Sequence, residues 1–187
     1  MTEDNYDAAI GSPQLEKKKK KDIEVLLLSD RVDEWLVANF GEFEELSLKS
    51  IAKGDLDDLD SKEDKKKKEK TVKDYEKVIS KAQEILDNQV KEVKVSSRLS
   101  ESPSCLVADE NELGGNMERI MKSLGQDVPE TKPILEINPN HPLVMKLKTK
   151  IDDDIVKVLF DQAVLSEGGQ IKEPAEFVKR MNKLVLG

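Results

Sequence analysis

The sequence is poor in the residues on which enzymes and secreted proteins most often depend. It holds one cysteine, Cys105, and one histidine, His141, and aromatic residues make up only 4% of its 187 positions. A single cysteine excludes a disulfide within the chain and favours a reducing, cytoplasmic setting. With so few aromatic residues, any core must be built from leucine, isoleucine, valine and methionine.

Long apolar runs and an excess of positive charge are absent as well. No run approaches the roughly 20 apolar residues of a membrane-spanning helix, and the first residues lack the apolar stretch of a secretion signal. The net charge is −8, whereas nucleic-acid binding depends on clustered positive charge. The lysine runs at 17–21 and 65–68 are interpreted as solvated surfaces or tethers. We therefore expect neither nucleic acid nor a membrane as a partner.

Residues 1–60 predict a small α/β unit. The continuous apolar run at 23–28 predicts a strand that is covered on both faces. Residues 29–30 then mark the start of a helix. Apolar side chains recur at helical spacing after that start, namely Val32, Trp35, Leu36 and Phe40. An alternating stretch at 46–52 favours a second strand.

The composition changes at residues 53–70, where a glycine and five aspartates precede a lysine run. Such a stretch is typical of a charged linker or of a solvated helix start, and it predicts a domain boundary. We therefore divide the chain into residues 1–60, 61–70 and 71–187.

Residues 71–187 predict a mixture of helices and strands. A helix opens it, with an apolar stripe formed by Val72, Tyr75, Ile79, Ala82 and Leu86. Three strands are predicted, at 93–99, 105–107 and 134–137. A turn at 102–103 lets the second strand pair back onto the first.

Two helices, at 151–166 and 174–186, complete the chain. Three aspartates at 152–154 begin the first helix, where carboxylates favour the positive end of the helix dipole. Adjacent residues point around a helix and not at one ion, which disfavours a metal site. The apolar positions of this helix cover too much of its circumference for one packing partner, so a further partner is expected. Pro174 is a good first residue for the second helix.

The segment between Asn111 and Gly125 has two possible interpretations. Five apolar residues share one helical face, namely Leu113, Met117, Ile120, Met121 and Leu124. Gly114 and Gly115 each cost such a helix about 1 kcal/mol relative to alanine. The segment is either an ordinary core helix or a marginal surface helix that contacts varied apolar partners, for which flexible methionine is suited. Gly125 is expected just after its C-terminus.

No constellation of catalytic groups is apparent. His141 lies between prolines and is interpreted as a turn residue with a local hydrogen bond, and Cys105 has no cationic neighbour that would activate it. The glycine pairs at 114–115 and 168–169 lack the spacing and the lysine of a phosphate-binding loop. A small hydrolase or metal enzyme is therefore disfavoured, and we predict no catalytic, cofactor-binding or metal-binding residue in this chain.

Five stretches resemble the heat-shock protein 90 family of chaperones, and they occur in the family's order. Residues 24–35 (EVLLLSDRVDEW) resemble the closing part of its middle domain. Residues 93–109 (VKVSSRLSESPSCLVAD), 116–122 (NMERIMK) and 134–144 (ILEINPNHPLV) resemble its C-terminal domain. Residues 160–184 resemble its terminal helix pair. Residues 41–70 match weakly.

The resemblance implies a small α/β end of a middle domain followed by an α+β dimerisation domain. The last two helices are expected to form a four-helix bundle with a second copy of the chain. The residues expected at that interface are Ile155, Leu159, Phe160, Ala163, Phe177, Met181 and Leu184. The helix within 111–124 is expected to contact unfolded or partly folded client proteins through Leu113, Met117, Ile120, Met121 and Leu124.

The resemblance also implies which functions lie elsewhere. The matched stretches contain neither the family's ATP-binding domain nor its ATP-contacting arginine, so ATP and magnesium are expected only in a full-length ATPase parent. The last residues, 184–187, differ from the Met-Glu-Glu-Val-Asp tail that recruits tetratricopeptide co-chaperones, which points to a bacterial or organellar type. The expected function is dimerisation and client contact within an ATP-dependent chaperone of protein folding and stress response. The alternative is a purely structural homodimerisation module.

Overall fold

A computed structural model describes Met1 and residues 6–21, 23–54, 62–109, 112, 115–127 and 131–186. Its helices are α1 (Tyr6–Gly11), α2 (Glu16–Lys20), α3 (Arg31–Asn39), α4 (Lys62–Leu86), α5 (Gly115–Ser123), α6 (Pro142–Thr149), α7 (Asp153–Ser166) and α8 (Pro174–Leu186). Its strands are β1 (Glu42–Phe43), β2 (Leu46–Ser47), β3 (Glu92–Val95), β4 (Ser104–Val107) and β5 (Ile134–Ile137). Short 3₁₀ turns at Pro13–Leu15 and Asp87–Gln89 precede α2 and follow α4.

The three-stranded sheet has the order β3-β5-β4. β5 runs parallel to β3 and antiparallel to β4, with Leu135 opposite both Val93 and Leu106. The expected three strands and the α+β class are confirmed, but the expected pairing of β4 with β3 is wrong. All four residues of β5 are buried, whereas each outer strand keeps at least one residue partly exposed. The most completely buried of the three strands therefore occupies the centre.

One face of the sheet carries the main core. Leu135 and Ile137 of β5 point to this face, and α4, α6 and α7 cover it. The cluster comprises Tyr75, Val78, Ala82, Leu86, Val90, Val93, Val95, Leu135, Ile137, Val144, Leu147, Ile155, Val156, Leu159 and Ala163. The Tyr75 hydroxyl donates a hydrogen bond to the Pro139 carbonyl at 2.6 Å, so its polar end is satisfied beside this core.

The opposite face of the sheet carries a smaller cluster formed by Leu99, Cys105, Val107 and Ile134. Residues 6–54, which we call the N-terminal region, meet the chain on this side. Lys53 bridges Ala108 in parallel, and the Gly54 N–H donates to the Ala108 carbonyl at 3.0 Å. The Ala108 N–H in turn donates to the Ala52 carbonyl at 3.1 Å. The turn at 51–54 thus extends the β4 edge.

Residues 62–70 are helical, because α4 begins at Lys62. Of the two structures expected for 61–70, the helix start is therefore the one found in the described residues. Residues 55–61 lie outside the described part of the chain, and the domain boundary stays a prediction.

The predicted strand at 23–28 is wrong. These residues belong to no ladder in the described chain: the Leu28 N–H donates to the Met1 carbonyl at 2.9 Å, and Leu26 is 59% exposed. A β-rich apolar run forms a strand only where another strand lies alongside it, and none of the strands in the described residues lies alongside this run. The stretch at 46–52 contributes only β2, which pairs with β1 in a short hairpin.

The helix predicted after residues 29–30 is confirmed as α3. The Asp30 side chain accepts from the Val32 N–H at 3.3 Å, and the Asp33 side chain accepts from the Asp30 N–H at 2.9 Å. This reciprocal capping box satisfies donors that the first turn of a helix leaves open. The side chain of Trp35 lies outside the described residues.

Candidate interaction surfaces

The α7–α8 hairpin begins with a helix that its own chain covers. Five residues of α7 are buried, namely Ile155, Val156, Val158, Leu159 and Ala163. The helix packs against β4, α4 and α8, and the Ser104 hydroxyl donates to the Leu159 carbonyl at 2.6 Å. A further partner was expected because the apolar surface of this helix is wide. In the structure, β4, α4 and α8 of the same chain cover that surface.

Charged side chains fasten α8 to α7. Arg180 lies 3.5 Å from the Asp161 carboxylate and 3.8 Å from that of Asp154. Lys183 donates to Asp154 at 2.5 Å, and this hydrogen bond lowers the pKa of Asp154 below its usual value. Burial raises the pKa of Asp161, although Arg180 opposes that change. Ion pairs thus connect α8 to α7 in addition to the packing of half-buried Leu184 against the main core.

α8 has no buried residue. Val178, Val185 and Leu186 are 54%, 77% and 87% exposed, and half-buried Met181 lies between the two valines at helical spacing. A helix with one apolar face normally buries it against another element. In the described chain nothing buries this face, which we call the α8 stripe and define as Val178, Met181 and Val185.

The residues expected at the dimer interface divide into two groups. Ile155, Leu159 and Ala163 are at most 5% exposed within one chain, so they are not available to a second copy in this structure. The other four are half-buried, namely Phe160, Phe177, Met181 and Leu184. Among these, Phe160 and Leu184 pack against the main core. The sequence places Val185 in the apolar stripe of this helix with Phe177, Met181 and Leu184, but the residues expected at the interface include neither Val185 nor Val178.

α5 carries the predicted client-contact face. It spans Gly115–Ser123, shorter than the predicted segment, and it lies near α3. Ile120 and Met121 are half-buried and Leu124 is 71% exposed. None of these three is part of a buried cluster among the described residues, and the assignment of this face to client contact stays a prediction. Leu113 lies outside the described residues, as does the side chain of Met117.

The C-terminal end of α5 is closed as expected. Gly125 has φ +75°, and the Gln126 N–H donates to the Met121 carbonyl at 3.1 Å. Glycine adopts this left-handed conformation without steric cost, which allows the helix to end there. Along the helix, the Glu118 carboxylate accepts from Lys122 at 2.6 Å and from the Thr131 hydroxyl at 2.8 Å.

The residues considered for catalysis have structural partners. The His141 Nδ1 accepts from the Leu143 N–H at 3.2 Å and caps α6, which confirms its expected local role. Asp152 caps α7 by accepting from the Asp154 N–H at 2.9 Å. Cys105 is fully buried, and burial raises the pKa of its thiol well above the usual value.

Within the described ranges, no group of three or more histidine, cysteine, aspartate and glutamate side chains is placed to hold a metal ion. No described helix is both long and apolar enough to span a membrane.

A buried ion pair escaped the sequence analysis. Arg98 is 0% exposed and Glu136 is 3% exposed. The Arg98 Nε and Nη2 atoms donate to the two carboxylate oxygens of Glu136 at 3.0 Å each. Charged residues are rarely buried unless paired. A glutamate inside the apolar strand Ile-Leu-Glu-Ile was therefore the signal that could have found this pair.

A second set of polar contacts also escaped notice. The Glu16 carboxylate accepts the backbone N–H groups of Ser100, Glu101 and Ser102 at 2.7–3.0 Å. Gln14 donates through Nε2 to the Leu106 carbonyl at 2.8 Å and to the Glu167 carboxylate at 2.9 Å. Both residues lie near the start of the chain, and both bind the turn or the edge of the sheet. The sequence alone does not show that these residues lie close to their partners, because the partners are far away along the chain.

Proteins named Chaperone protein HtpG match nearly the whole chain. The one from Ruthia magnifica subsp. Calyptogena magnifica is 76% identical over 185 residues, which are 99% of this chain and 30% of that protein. The one from Vesicomyosocius okutanii subsp. Calyptogena okutanii is 74% identical with the same coverage. The one from Nitrosospira multiformis is 53% identical over 190 residues, covering 100% of this chain and 30% of that protein.

The chain corresponds to only part of each of these relatives. The chain spans about 30% of their length. The family described as Hsp90 protein matches residues 1–186, which include every stretch on which the sequence resemblance rested. The chain belongs to the Hsp90 family of proteins.

Proposed function

We propose that this chain is the dimerisation and client-contact region of an ATP-dependent molecular chaperone. The family match and the names of the relatives support a chaperone role. ATP binding and hydrolysis are assigned to the part of the parent protein that lies outside this third of its length. From this chain alone we expect no ATP turnover.

The observation that carries the dimerisation proposal is the α8 stripe. Val178, Met181 and Val185 occupy one face of a helix that has no buried residue. The α7–α8 hairpin of a second copy has the same exposed stripe, and two such hairpins would bury both stripes in a four-helix bundle. A stable interface of this kind removes about 2,000 Å² or more of total surface from water.

The test is the molar mass of Met181→Glu/Val185→Glu, measured by light scattering across a dilution series. A dimer that uses the stripe becomes monomeric, because each glutamate would be buried without a partner. The matched control is Asn182→Glu, which adds a charge to an exposed position between the two and should leave the dimer intact. Leu159 is unsuitable for this purpose, since a charge there disrupts the core of one chain. If the double variant has the mass of the unsubstituted dimer, the interface lies elsewhere.

Client contact is assigned to α5. Its described apolar side chains Ile120, Met121 and Leu124 are partly or largely exposed, and methionine adapts to partners of varied shape. We expect Met121→Ser/Leu124→Ser to weaken binding of a fluorescently labelled unfolded protein, with the dimer mass and melting temperature nearly unchanged. Gln126→Ser, also exposed, is the control. A large fall in melting temperature, with binding per folded molecule intact, would assign α5 to the core.

The alternative, a purely structural homodimerisation module, makes a different prediction. Such a module dimerises through the same stripe but binds no unfolded protein. The client-binding measurement therefore separates the alternatives, because both predict the same dimer and only the first predicts binding of unfolded protein.

A further inference from the structure

Arg98 is the point at which three segments of the chain meet. Its carbonyl accepts the Lys17 N–H at 3.1 Å, which connects it to α2. Its guanidinium donates to the carbonyls of Ile51 and Gly54, the latter at 2.6 Å. The same guanidinium holds the Glu136 carboxylate of the central strand. One side chain thus joins the 51–54 turn to β5, and its backbone adds α2.

The geometry of this contact requires arginine. A guanidinium presents five N–H donors in a fixed fork, so two can serve a carboxylate while others reach neighbouring carbonyls. A lysine ammonium has three donors around one atom and cannot serve Glu136, Ile51 and Gly54 from the same position. Ser96 supports the arrangement, because its hydroxyl donates to Glu136 at 2.7 Å and accepts the Arg98 N–H at 3.1 Å.

Net stability is a poor explanation for such a pair. Replacing both members of a buried ion pair with apolar residues is often neutral or stabilising, because the desolvation of two charges offsets their attraction. Bonds from a guanidinium to two carbonyls, however, are directional, and apolar packing cannot replace them. What the pair supplies specifically is the position of the 51–54 turn on the sheet.

We infer that Arg98 is a positioning residue that fixes the orientation of the N-terminal region on the C-terminal sheet. The contact lies on the sheet face opposite α4 and α7, where Glu136 and Cys105 point. Arg98 lies three residues after the end of β3. The N-terminal region is therefore bound by a residue attached directly to the sheet. This role is independent of dimerisation and of client contact.

Amide hydrogen exchange tests the inference with two variants. Arg98→Lys keeps the charge opposite Glu136 but loses the carbonyl bonds, and Arg98→Met/Glu136→Leu removes both charges while retaining an apolar interior. The Gly54 and Ala108 amides, which bridge the turn to β4, report docking. The Lys91 and Asn138 amides, bonded to Pro133 and Pro103, report the sheet.

In both variants we expect exchange at Gly54 and Ala108 to accelerate by about tenfold or more, since bonds to charged groups are lost. Exchange at Lys91 and Asn138 should stay near the rates of the unsubstituted protein. Lys81→Met, which breaks an exposed ion pair with Glu84, is the control and should change neither set. Unchanged Gly54 and Ala108 rates in Arg98→Lys would overturn the inference. So would equal acceleration at all four amides, which would make Arg98 a requirement of the sheet as a whole.

A distance measurement gives a second readout. Spin labels at Leu46→Cys and Met145→Cys, both exposed positions, report the N-terminal region and α6. Cys105 is fully buried and stays unlabelled in the folded protein. Arg98→Lys should broaden the distance distribution between the labels, and a distribution identical to that of the unsubstituted protein would contradict the positioning role.

Discussion

The two sides of the β3-β5-β4 sheet are held by different kinds of interaction. On the α4 and α7 side, a continuous apolar cluster extends from Tyr75 to Ala163. On the other side, the described residues form two smaller clusters: Leu99, Cys105, Val107 and Ile134 on the sheet, and Leu15 and Ile51 of the N-terminal region together with Met1. Hydrogen bonds through Gln14, Glu16 and the two carbonyls that Arg98 binds connect the N-terminal region to the sheet.

The difference shows how one sheet combines a permanent core with a docked region. Apolar burial is non-directional and scales with area, so the α4 and α7 side resists opening as a unit. Hydrogen bonds depend on geometry and contribute about 0.5–1.5 kcal/mol each after exchange with water. The N-terminal side therefore has a defined position but a smaller free energy of detachment.

The largest effect that would test this comparison comes from a pair of buried leucines. Leu159 and Leu15 are 1% and 2% exposed. Truncation of a core leucine to alanine costs about 2–5 kcal/mol, depending on how far the site can collapse. In urea unfolding, we expect the loss of unfolding free energy to lie at the upper end of this range for Leu159→Ala and at the lower end for Leu15→Ala. Equal losses for both would mean that the two sides form one cooperative core.

A smaller effect is expected from Glu16→Gln. Burial by itself raises the pKa of Glu16, but hydrogen bonds from Ser102 and from the backbone at residues 100–102 outweigh it, so the pKa lies below its usual 4.5. The contact therefore contributes fully above pH 4.5 and is lost as the pH falls through the lowered pKa. Because the carboxylate is partly solvated, we expect a loss of about 1 kcal/mol at neutral pH.

The pH profile of the free energy of unfolding measures this contribution. Unsubstituted protein should lose more stability than Glu16→Gln when the pH is lowered from 5 to 3. Parallel profiles for the two proteins would show that the contact with residues 100–102 does not form in solution.

An effect of about the same size concerns the cap of α6 on the core side. His141→Ala should cost about 1 kcal/mol, as for other N-cap residues. Burial lowers the pKa of His141 below its usual 6.5, against an opposing effect of Glu16. The neutral form is thus favoured in the folded state, so its contribution is complete above pH 6.5 and is lost as the pH falls through the lowered pKa. Titration of His141 by NMR measures that pKa, and a value above 6.5 would contradict this account.

Periodicity and capping residues in the sequence predicted the elements that local interactions stabilise. Asp30 begins α3, Gly125 follows α5 and Pro174 begins α8, as the local rules require. The three strands of the sheet were predicted from their apolar patterns, and each of them has a neighbouring strand in the structure. The expectation for 23–28 failed because strand formation depends on a neighbour, and no local pattern states whether that neighbour exists.

The candidate surfaces were predicted less completely, since burial depends on the whole fold. The spacing of apolar residues in the sequence predicts the stripe of α8. Only the structure shows that Ile155 and Leu159 of α7 are buried in the main core of the same chain. The side-chain contacts of Gln14 and Glu16 with the sheet and its turn, and that of Arg98 with Glu136, join residues at least 38 positions apart. Single-sequence patterns carry no information about such pairs beyond the oddity of a buried charge.

The strand order also determines when the sheet can form during synthesis of the chain. β5 occupies the centre of the sheet but is the last of the three strands to be made. Between the end of β3 at Val95 and the start of β5 at Ile134, a ribosome needs about 2–8 s at roughly 5–20 residues per second. During that interval β3 and β4 have no partner, because neither contacts the other. A nascent chain released before Ile137 is made therefore lacks the complete sheet and leaves two apolar strand edges open to other chains.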